Sequence, residues 1–162
     1  MNKRGHVLNA ILLAIGIGYI LRPAGDIPTF EMIAEVSLPI VLGALFPDVD
    51  TAFGRHRKTL HNLAVLAIFV AWPTLFGNLE FVWIGVLTHY VLDLLGSKRG
   101  IALFYPYQKE FDLPFGVPVS SKYADLVTVL VTGVELIAVF AIVRLQLPVP
   151  DLTRSITAAV GV

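Results

Sequence analysis

The chain has 162 residues, enough for one domain, and 56% of them are hydrophobic, with a mean hydropathy of +0.78. These values exceed what a soluble globular protein normally carries and indicate a membrane protein. Twelve basic and twelve acidic residues leave a formal net charge of zero, so no overall basic field favours nucleic acid binding. The lack of cysteine excludes disulfides, thiolate nucleophiles and cysteine-based zinc sites.

Five apolar segments separated by short polar stretches predict an all-α fold, a polytopic membrane helix bundle. The expected helices span residues 7–21, 32–46, 60–76, 81–95 and 126–147. At about 1.5 Å per residue, the first four are short for a hydrocarbon core of about 30 Å, so we expect them to extend into their polar flanks. No repeat or long linker divides the sequence, which favours one membrane domain over residues 1–162.

The first segment has a second interpretation, because Lys3 and Arg4 followed by an apolar run also resemble a cleaved signal peptide. No convincing small-residue cleavage site precedes Arg22 and Pro23, and cleavage would discard His6. We therefore expect this segment to be the first membrane helix.

An aromatic and proline-rich segment, residues 101–118, separates the fourth and fifth helices. It is too interrupted for a spanning helix and too apolar for a free loop. We expect a re-entrant or interfacial flap over the candidate site. The alternative is an ordinary segment of the aromatic belt at the membrane interface.

Histidines and aspartates occur in short segments at the ends of the predicted helices. An apolar protein usually keeps such groups for function. Imidazole and carboxylate are ligands that suit zinc, iron or manganese. The candidate metal ligands are His6, Asp48, Asp50, His61, His89 and Asp93, with His56 as a marginal candidate.

Two of these pairs have informative spacing. His89 and Asp93 are four residues apart, which places them on one helix face, although an aspartate there can also simply orient a histidine. Asp48 and Asp50 flank Val49 and would point the same way in extended backbone, where they could share metal ions. The alternative for that pair is two solvated acids in a loop.

The distribution of basic residues predicts the membrane topology. With the N-terminus in the cytoplasm, nine basic residues lie inside and three outside, as the positive-inside rule requires. The outer three are Arg22, Arg144 and Arg154. All candidate ligands then lie at the inner boundary of the cytoplasmic membrane, whereas polar residues that merely collect at helix ends would scatter over both faces.

An ordered set of motifs resembles a known family. The set consists of Gly5-His6, Leu45-Phe46-Pro47-Asp48-Val49-Asp50, His56-Arg57-x-x-x-His61, His89-x-x-x-Asp93 and Gly100-Ile101-Ala102-Leu103-Phe104-Tyr105-Pro106. It is similar to the YdjM-type membrane-bound family of predicted metal-dependent hydrolases. That family is thought to be distantly similar to zinc-dependent phospholipase C and the S1/P1 nucleases. The resemblance implies one to three divalent ions, zinc first, and phosphate-ester hydrolysis.

On this interpretation the protein is a membrane-embedded phosphoesterase that acts on a lipid or another phosphate-bearing substrate. The residues expected to carry catalysis are Asp48, Asp50, His61 and His89. Basic residues in the flanking loops would bind substrate phosphate, namely Arg57, Lys58, Lys98 and Arg99. The alternative for these four is that basic residues collect at the inner face whatever the protein does.

Two acidic residues inside predicted helices, Glu35 and Glu135, favour a competing hypothesis. A carboxylate in the membrane is costly, so each is expected to be protonated or hydrogen-bonded, with Thr132, Asn9 or the other glutamate as candidate partners. Such residues could also line the path of a divalent metal or proton transporter. A third possibility is a non-catalytic membrane scaffold with a structural metal.

Overall fold

The computed structural model describes residues 2–113, 116–118 and 120–145. Over these ranges the chain forms five α-helices and one 3₁₀ helix, and β-pairing is limited to two isolated bridges. The helices are α1 (Lys3–Leu21), α2 (Ile27–Leu45), α3 (Leu63–Phe76), α4 (Val82–Gly96) and α5 (Ala124–Arg144), with the 3₁₀ helix at Pro47–Ala52. The prediction of an all-α membrane bundle is confirmed.

Three of the helices are long and apolar enough to cross a membrane. They are α1, α5 and the continuous stretch 27–52 formed by α2 and the 3₁₀ helix. The helices α3 and α4 are shorter, at 14 and 15 residues. The expected extension of the first two helices into their polar flanks is therefore present.

Capping side chains determine where these helices begin. The Asn2 side chain accepts a hydrogen bond from the amide of Gly5, and Asp26 accepts one from Thr29, so α1 and α2 start several residues before their apolar runs. Asn62 caps α3 in the same way, which leaves His61 in the preceding loop instead of in the helix. The last two residues of the predicted fifth helix, 146–147, lie outside the described residues.

Four helices form the packed bundle. The helix α1 packs against α2 and α5, α2 packs against α4, and α4 packs against α5, while α3 lies against α4 with none of its own 14 residues buried. Because consecutive helices run in opposite directions, the starts of α1 and α5 meet the ends of α2 and α4. Arg4 and Asp125 form an ion pair at this end, with 3.4 Å between Nη2 and Oδ2.

Two glycines allow the backbones of α2 and α4 to approach closely. A Cβ atom at Gly43 would lie 2.0 Å from the carbonyl oxygen of Val82, and one at Gly85 would lie 2.1 Å from that of Ile40. Small residues permit such contacts between membrane helices. The close approach also brings the carbonyl of Ala44 against α4.

The segment after α4 is not helical and packs at the same end of the bundle. Ile101 is fully buried and pairs with Phe111 through two backbone hydrogen bonds of 3.0 and 2.9 Å. The amide of Ala102 donates to the carbonyl of Arg57, and the amide of Leu63 donates to that of Leu103. This part of the predicted flap therefore covers the loop that precedes α3, while its residues 114–115 lie outside the described ranges.

The Gly43→Ala variant tests the close approach of α2 and α4. We expect it to destabilise the protein by about 1–3 kcal/mol, because the added methyl group would overlap the backbone of α4. The matched control is Gly133→Ala on α5, where a Cβ atom meets nothing within 4 Å. Thermal unfolding of both purified variants in detergent is the measurement, and equal midpoints would contradict the packing.

Candidate metal centre

The candidate ligands converge at the end of the bundle where α1 and α5 begin. Two groups of side chains there are close enough to hold a metal ion, His6 with His89 and Asp93, and Asp48 with His56 and His61. The atoms within each group lie within 4.8 Å of one another. The two groups are contiguous, because His61 and His89 are in direct contact.

The centre of the site is the contact between His61 and His89, whose Nε2 atoms lie 3.0 Å apart. His61 Nδ1 donates to Asp50 Oδ2 at 3.0 Å, and His89 Nδ1 donates to the Ala44 carbonyl at 2.6 Å. A neutral imidazole whose Nδ1 carries the hydrogen presents a lone pair at Nε2. Two lone pairs therefore face each other in a buried position.

A shared cation would account for this arrangement. Two nitrogens bound tetrahedrally to one zinc ion lie about 3.3 Å apart, close to the observed separation. Burial lowers the pKa of His61, although the neighbouring Asp50 and Asp93 carboxylates act in the opposite direction. The lone pair at its Nε2 atom is therefore available at neutral pH.

Two carboxylates face the same point. Asp48 Oδ1 lies 3.9 Å from His61 Nε2 and 3.8 Å from His89 Nε2, and Asp93 Oδ2 lies 3.8 Å from each of the two nitrogens. The predicted same-face arrangement of His89 and Asp93 on α4 is therefore present. Two nitrogens and two oxygens form the donor set that suits a divalent ion such as zinc.

His6 adds an imidazole from α1. Its ring stacks on that of His89, with centroids 3.7 Å apart and planes 9° from parallel, and its Nε2 lies 3.5 Å from Asp93 Oδ1. Apart from this contact of Nε2 with Asp93, neither nitrogen has a hydrogen-bond partner in the described structure, and both are buried. A buried polar atom normally has a partner, so these nitrogens fit a ligand that the side chains alone do not supply.

Asp50 lies behind His61 rather than beside the facing lone pairs. Its Oδ2 accepts from His61 Nδ1, its Oδ1 accepts from His56 Nδ1 at 3.0 Å, and its side chain is fully buried. This is the geometry of a carboxylate that orients metal-binding histidines. The expectation of extended backbone at this pair was wrong, because the chain forms a 3₁₀ helix that directs Asp48 and Asp50 to different partners.

His56 lies at the outer edge of the site. Its side chain is 41% exposed, and its Nδ1 lies 3.8 Å from Asp48 Oδ1 as well as 3.0 Å from Asp50. The structure thus brings this residue into the second group of candidate ligands. Together with Asp48, it connects the buried centre to the surface.

Arg57, expected from the sequence to bind phosphate, is buried and contacts the protein instead. Its Nη2 donates to Asp93 Oδ1 at 3.1 Å, and its Nη1 donates to Ser97 Oγ at 3.1 Å and to the carbonyl of Arg99 at 2.5 Å. Its backbone has a φ of +65°, uncommon for a residue other than glycine. The guanidinium therefore holds Asp93 in place from behind.

The other three basic candidates lie nearer the surface. Lys58 Nζ forms an ion pair of 2.8 Å with Glu110 of the flap segment. Lys98 and Arg99 follow α4 and are exposed. Their role in phosphate binding stays a prediction.

Sequence reasoning did not find two groups that orient the site. The Ala44 carbonyl fixes His89, and no side-chain signal marks a backbone acceptor, although the glycine at position 43 indicates close helix packing. Ser97 accepts from Arg57 and donates to the carbonyl of Asp93. Its position four residues after Asp93 is the only sequence signal for this role.

Fold and site together define a polytopic membrane protein with a buried cluster of histidines and aspartates at one end of its helices. A family model described as YdjM inner membrane protein matches residues 1–150. The chain therefore belongs to the YdjM inner membrane protein family. No curated protein and no solved structure matches it.

A double variant tests the metal site directly. We expect the wild-type protein to carry at least about one divalent ion per chain. The variant that combines Asp48→Ala with His89→Ala should carry none above background, because two of the four facing donors are removed. Elemental analysis of purified protein is the measurement. The control is Asp112→Asn, an exposed carboxylate of the flap segment. Unchanged metal content in the double variant would exclude this site.

Arg57→Lys tests the support of Asp93. The two nitrogens Nη1 and Nη2 of Arg57 bind different partners, and the single ammonium group of a lysine does not reproduce this fork. We therefore expect metal affinity to fall by about 10- to 100-fold. Competition with a metal chelator measures this affinity. Arg99→Lys is the matched control, because only the backbone carbonyl of Arg99 takes part in these contacts. Equal affinities in the two variants would contradict the positioning role.

Proposed function

We propose that the protein is a membrane-embedded, metal-dependent hydrolase that cleaves a phosphate ester of a lipid or another phosphate-bearing substrate. The observation that carries the proposal is the pair of Nε2 lone pairs of His61 and His89, which face each other beside Asp48 and Asp93. With the hydrogen of each ring on Nδ1, two buried imidazoles in this orientation would be stabilised by a cation between them. Zinc is the ion we favour, and the second group of ligands allows more than one ion.

The residues divide into ligands and supporting groups. His61, His89, Asp48 and Asp93 would hold the ion, and His6 would add a fifth donor or bind a second ion. Asp50 and the Ala44 carbonyl fix the tautomers of His61 and His89. A bound divalent ion lowers the pKa of a coordinated water from about 15.7 toward 7 and so supplies hydroxide at neutral pH.

Access to the centre supports hydrolysis over a purely structural metal. His61 and His89 have no exposed side-chain surface, but Asp48 is 12% exposed and His56 is 41% exposed. These two side chains form the open edge of the site. Asp48 would hold the ion where water and substrate arrive, and Lys98 and Arg99 in the adjoining loop would bind the phosphate oxygens.

The position of the site suits a substrate from the membrane surface. The cluster lies at one end of the helices, and the excess of basic residues predicts that this end faces the cytoplasm. Exposed apolar residues in the segment over the site, such as Phe104, Tyr107 and Leu113, would contact the lipid interface. A phospholipid could then reach the centre without leaving the inner leaflet.

The transport alternative requires a polar path from the cluster to the other face. Glu135 does contact Asn9 and Thr88, which lie near His6 and His89 along α1 and α4. Beyond them, the buried residues of α1 are apolar, namely Leu13, Ala14 and Ile17. Glu35 is exposed on α2 and takes no part in these contacts among the described residues. This arrangement favours a site that is open at one end.

A comparison of wild type with Asp48→Ala tests the proposed reaction. Metal-loaded protein in detergent is assayed against an aryl phosphate, a phosphatidic acid and a phosphatidylcholine, with phosphate or alcohol release as the readout. We expect at least one substrate to be cleaved, and its rate to fall by about 100-fold or more in the variant. Asp112→Asn should keep the wild-type rate. Equal rates for wild type and Asp48→Ala would contradict the hydrolase proposal.

A further inference from the structure

A second polar cluster lies deeper in the bundle and connects three helices. Asn9 of α1, Thr88 of α4 and Thr132 of α5 are all buried, and Glu135 of α5 is half-buried beside them. Asn9 is one helical turn from His6, and Thr88 precedes His89. Of the partners expected for Glu135 from the sequence, Asn9 is in direct contact, whereas Thr132 bonds to Asn9.

Three short contacts form a closed ring among Asn9, Thr88 and Glu135. Asn9 Nδ2 lies 2.7 Å from Glu135 Oε2, Thr88 Oγ1 lies 2.5 Å from Glu135 Oε1, and Thr88 Oγ1 lies 2.6 Å from Asn9 Oδ1. Distances this short between nitrogen or oxygen atoms require one hydrogen in each contact. The ring therefore needs three hydrogens.

Only two of these hydrogens can come from Asn9 and Thr88. The amide of Asn9 faces one partner with its nitrogen and the other with its oxygen, so it supplies one hydrogen to the ring. The hydroxyl of Thr88 has a single hydrogen and supplies the second. Exchanging the amide oxygen and nitrogen of Asn9 moves its hydrogen to the other contact and leaves the count unchanged.

The third hydrogen has one source. Thr132 cannot provide it, because its hydroxyl already donates to the carbonyl of Thr128 at 2.8 Å and accepts from Asn9 at 2.9 Å. With an ionised Glu135, two oxygen acceptors would face each other at hydrogen-bond distance. We infer that Glu135 is a proton-binding site, in which the ring of Asn9 and Thr88 holds the side chain as a neutral carboxylic acid.

The surroundings of Glu135 agree with a neutral group. Neighbouring residues on α5 are apolar and exposed, including Leu130, Val134 and Ile137, so this helix presents a hydrocarbon face to the membrane. An ionised carboxylate there would be costly, whereas a neutral acid can donate and accept within the ring. As a positioning residue, Glu135 would link α1, α4 and α5 and so hold His6 and His89 in register.

Infrared spectroscopy tests the protonation state. We expect wild-type protein at neutral pH to show the carbonyl stretching band of a protonated carboxylic acid, and glutamate labelled with ¹³C at its carboxyl group to shift that band. The band should disappear in Glu135→Gln and remain in Glu35→Gln, the matched control on the membrane-exposed part of α2. Absence of a protonated glutamate band in wild type, or its loss in Glu35→Gln instead, would overturn the inference. The labelled wild type and the control decide the question even where Glu135→Gln does not fold.

Thermal unfolding provides a second readout. A glutamine is neutral and can supply both a donor and an acceptor, so Glu135→Gln should keep the midpoint of the wild type. Glu135→Ala removes one hydrogen-bond partner from Asn9 and one from Thr88, and should lower the midpoint by about 5 °C or more. Equal destabilisation by the two substitutions would contradict a neutral Glu135, because it would mean that the negative charge stabilises the fold.

Discussion

The site depends on one constraint, the orientation of two imidazole rings whose Nε2 atoms meet at 3.0 Å. Each ring is fixed from behind by a single hydrogen bond, from His61 to Asp50 and from His89 to the Ala44 carbonyl. Without these bonds either ring could turn and present a hydrogen instead of a lone pair. The fold therefore determines the protonation pattern, and this pattern makes the pair a candidate cation site.

Each of these two bonds requires a particular local backbone. The Ala44 carbonyl reaches His89 because Gly43 and Gly85 let α2 and α4 approach more closely than side chains would permit. Asp50 reaches His61 because Pro47 ends α2 and a 3₁₀ helix follows. In this helix the side chains of Asp48 and Asp50 point in different directions. Backbone packing and loop geometry thus set the positions of side chains that carry the chemistry. A change of volume at either glycine should affect metal binding as well as stability.

The sequence predicted the bundle and the convergence of ligands, because both depend on simple regularities. Apolar runs identify membrane helices, and alternating helix directions bring His6, Asp48, His61 and His89 to one end. It did not predict the roles of Asp50 and Arg57. The prediction that Asp48 and Asp50 share a metal assumed extended backbone, whereas the chain forms a 3₁₀ helix there. The prediction that Arg57 binds phosphate depended on its position in a basic loop, whereas its buried contact with Asp93 depends on the tertiary fold. The observed starts of α1 and α2 precede the predicted ones because the capping residues Asn2 and Asp26, and not the first apolar residues, determine where these helices begin.

The two polar clusters neutralise their buried carboxylates in different ways. At the end of the bundle, charges are retained because Arg57 and the proposed cation balance the buried aspartates, and the outer edge reaches water through Asp48 and His56. Deeper in the bundle no such cation lies beside Glu135 among the described residues, and a proton neutralises the acid instead. Because Asn9 and Thr88 belong to the same helices as His6 and His89, the neutral ring fixes the spacing of α1 and α4 one turn below the site. The charged cluster at the end of the bundle therefore depends on the neutral ring in the interior, because the ring keeps His6 and His89 at the spacing that a shared ion requires.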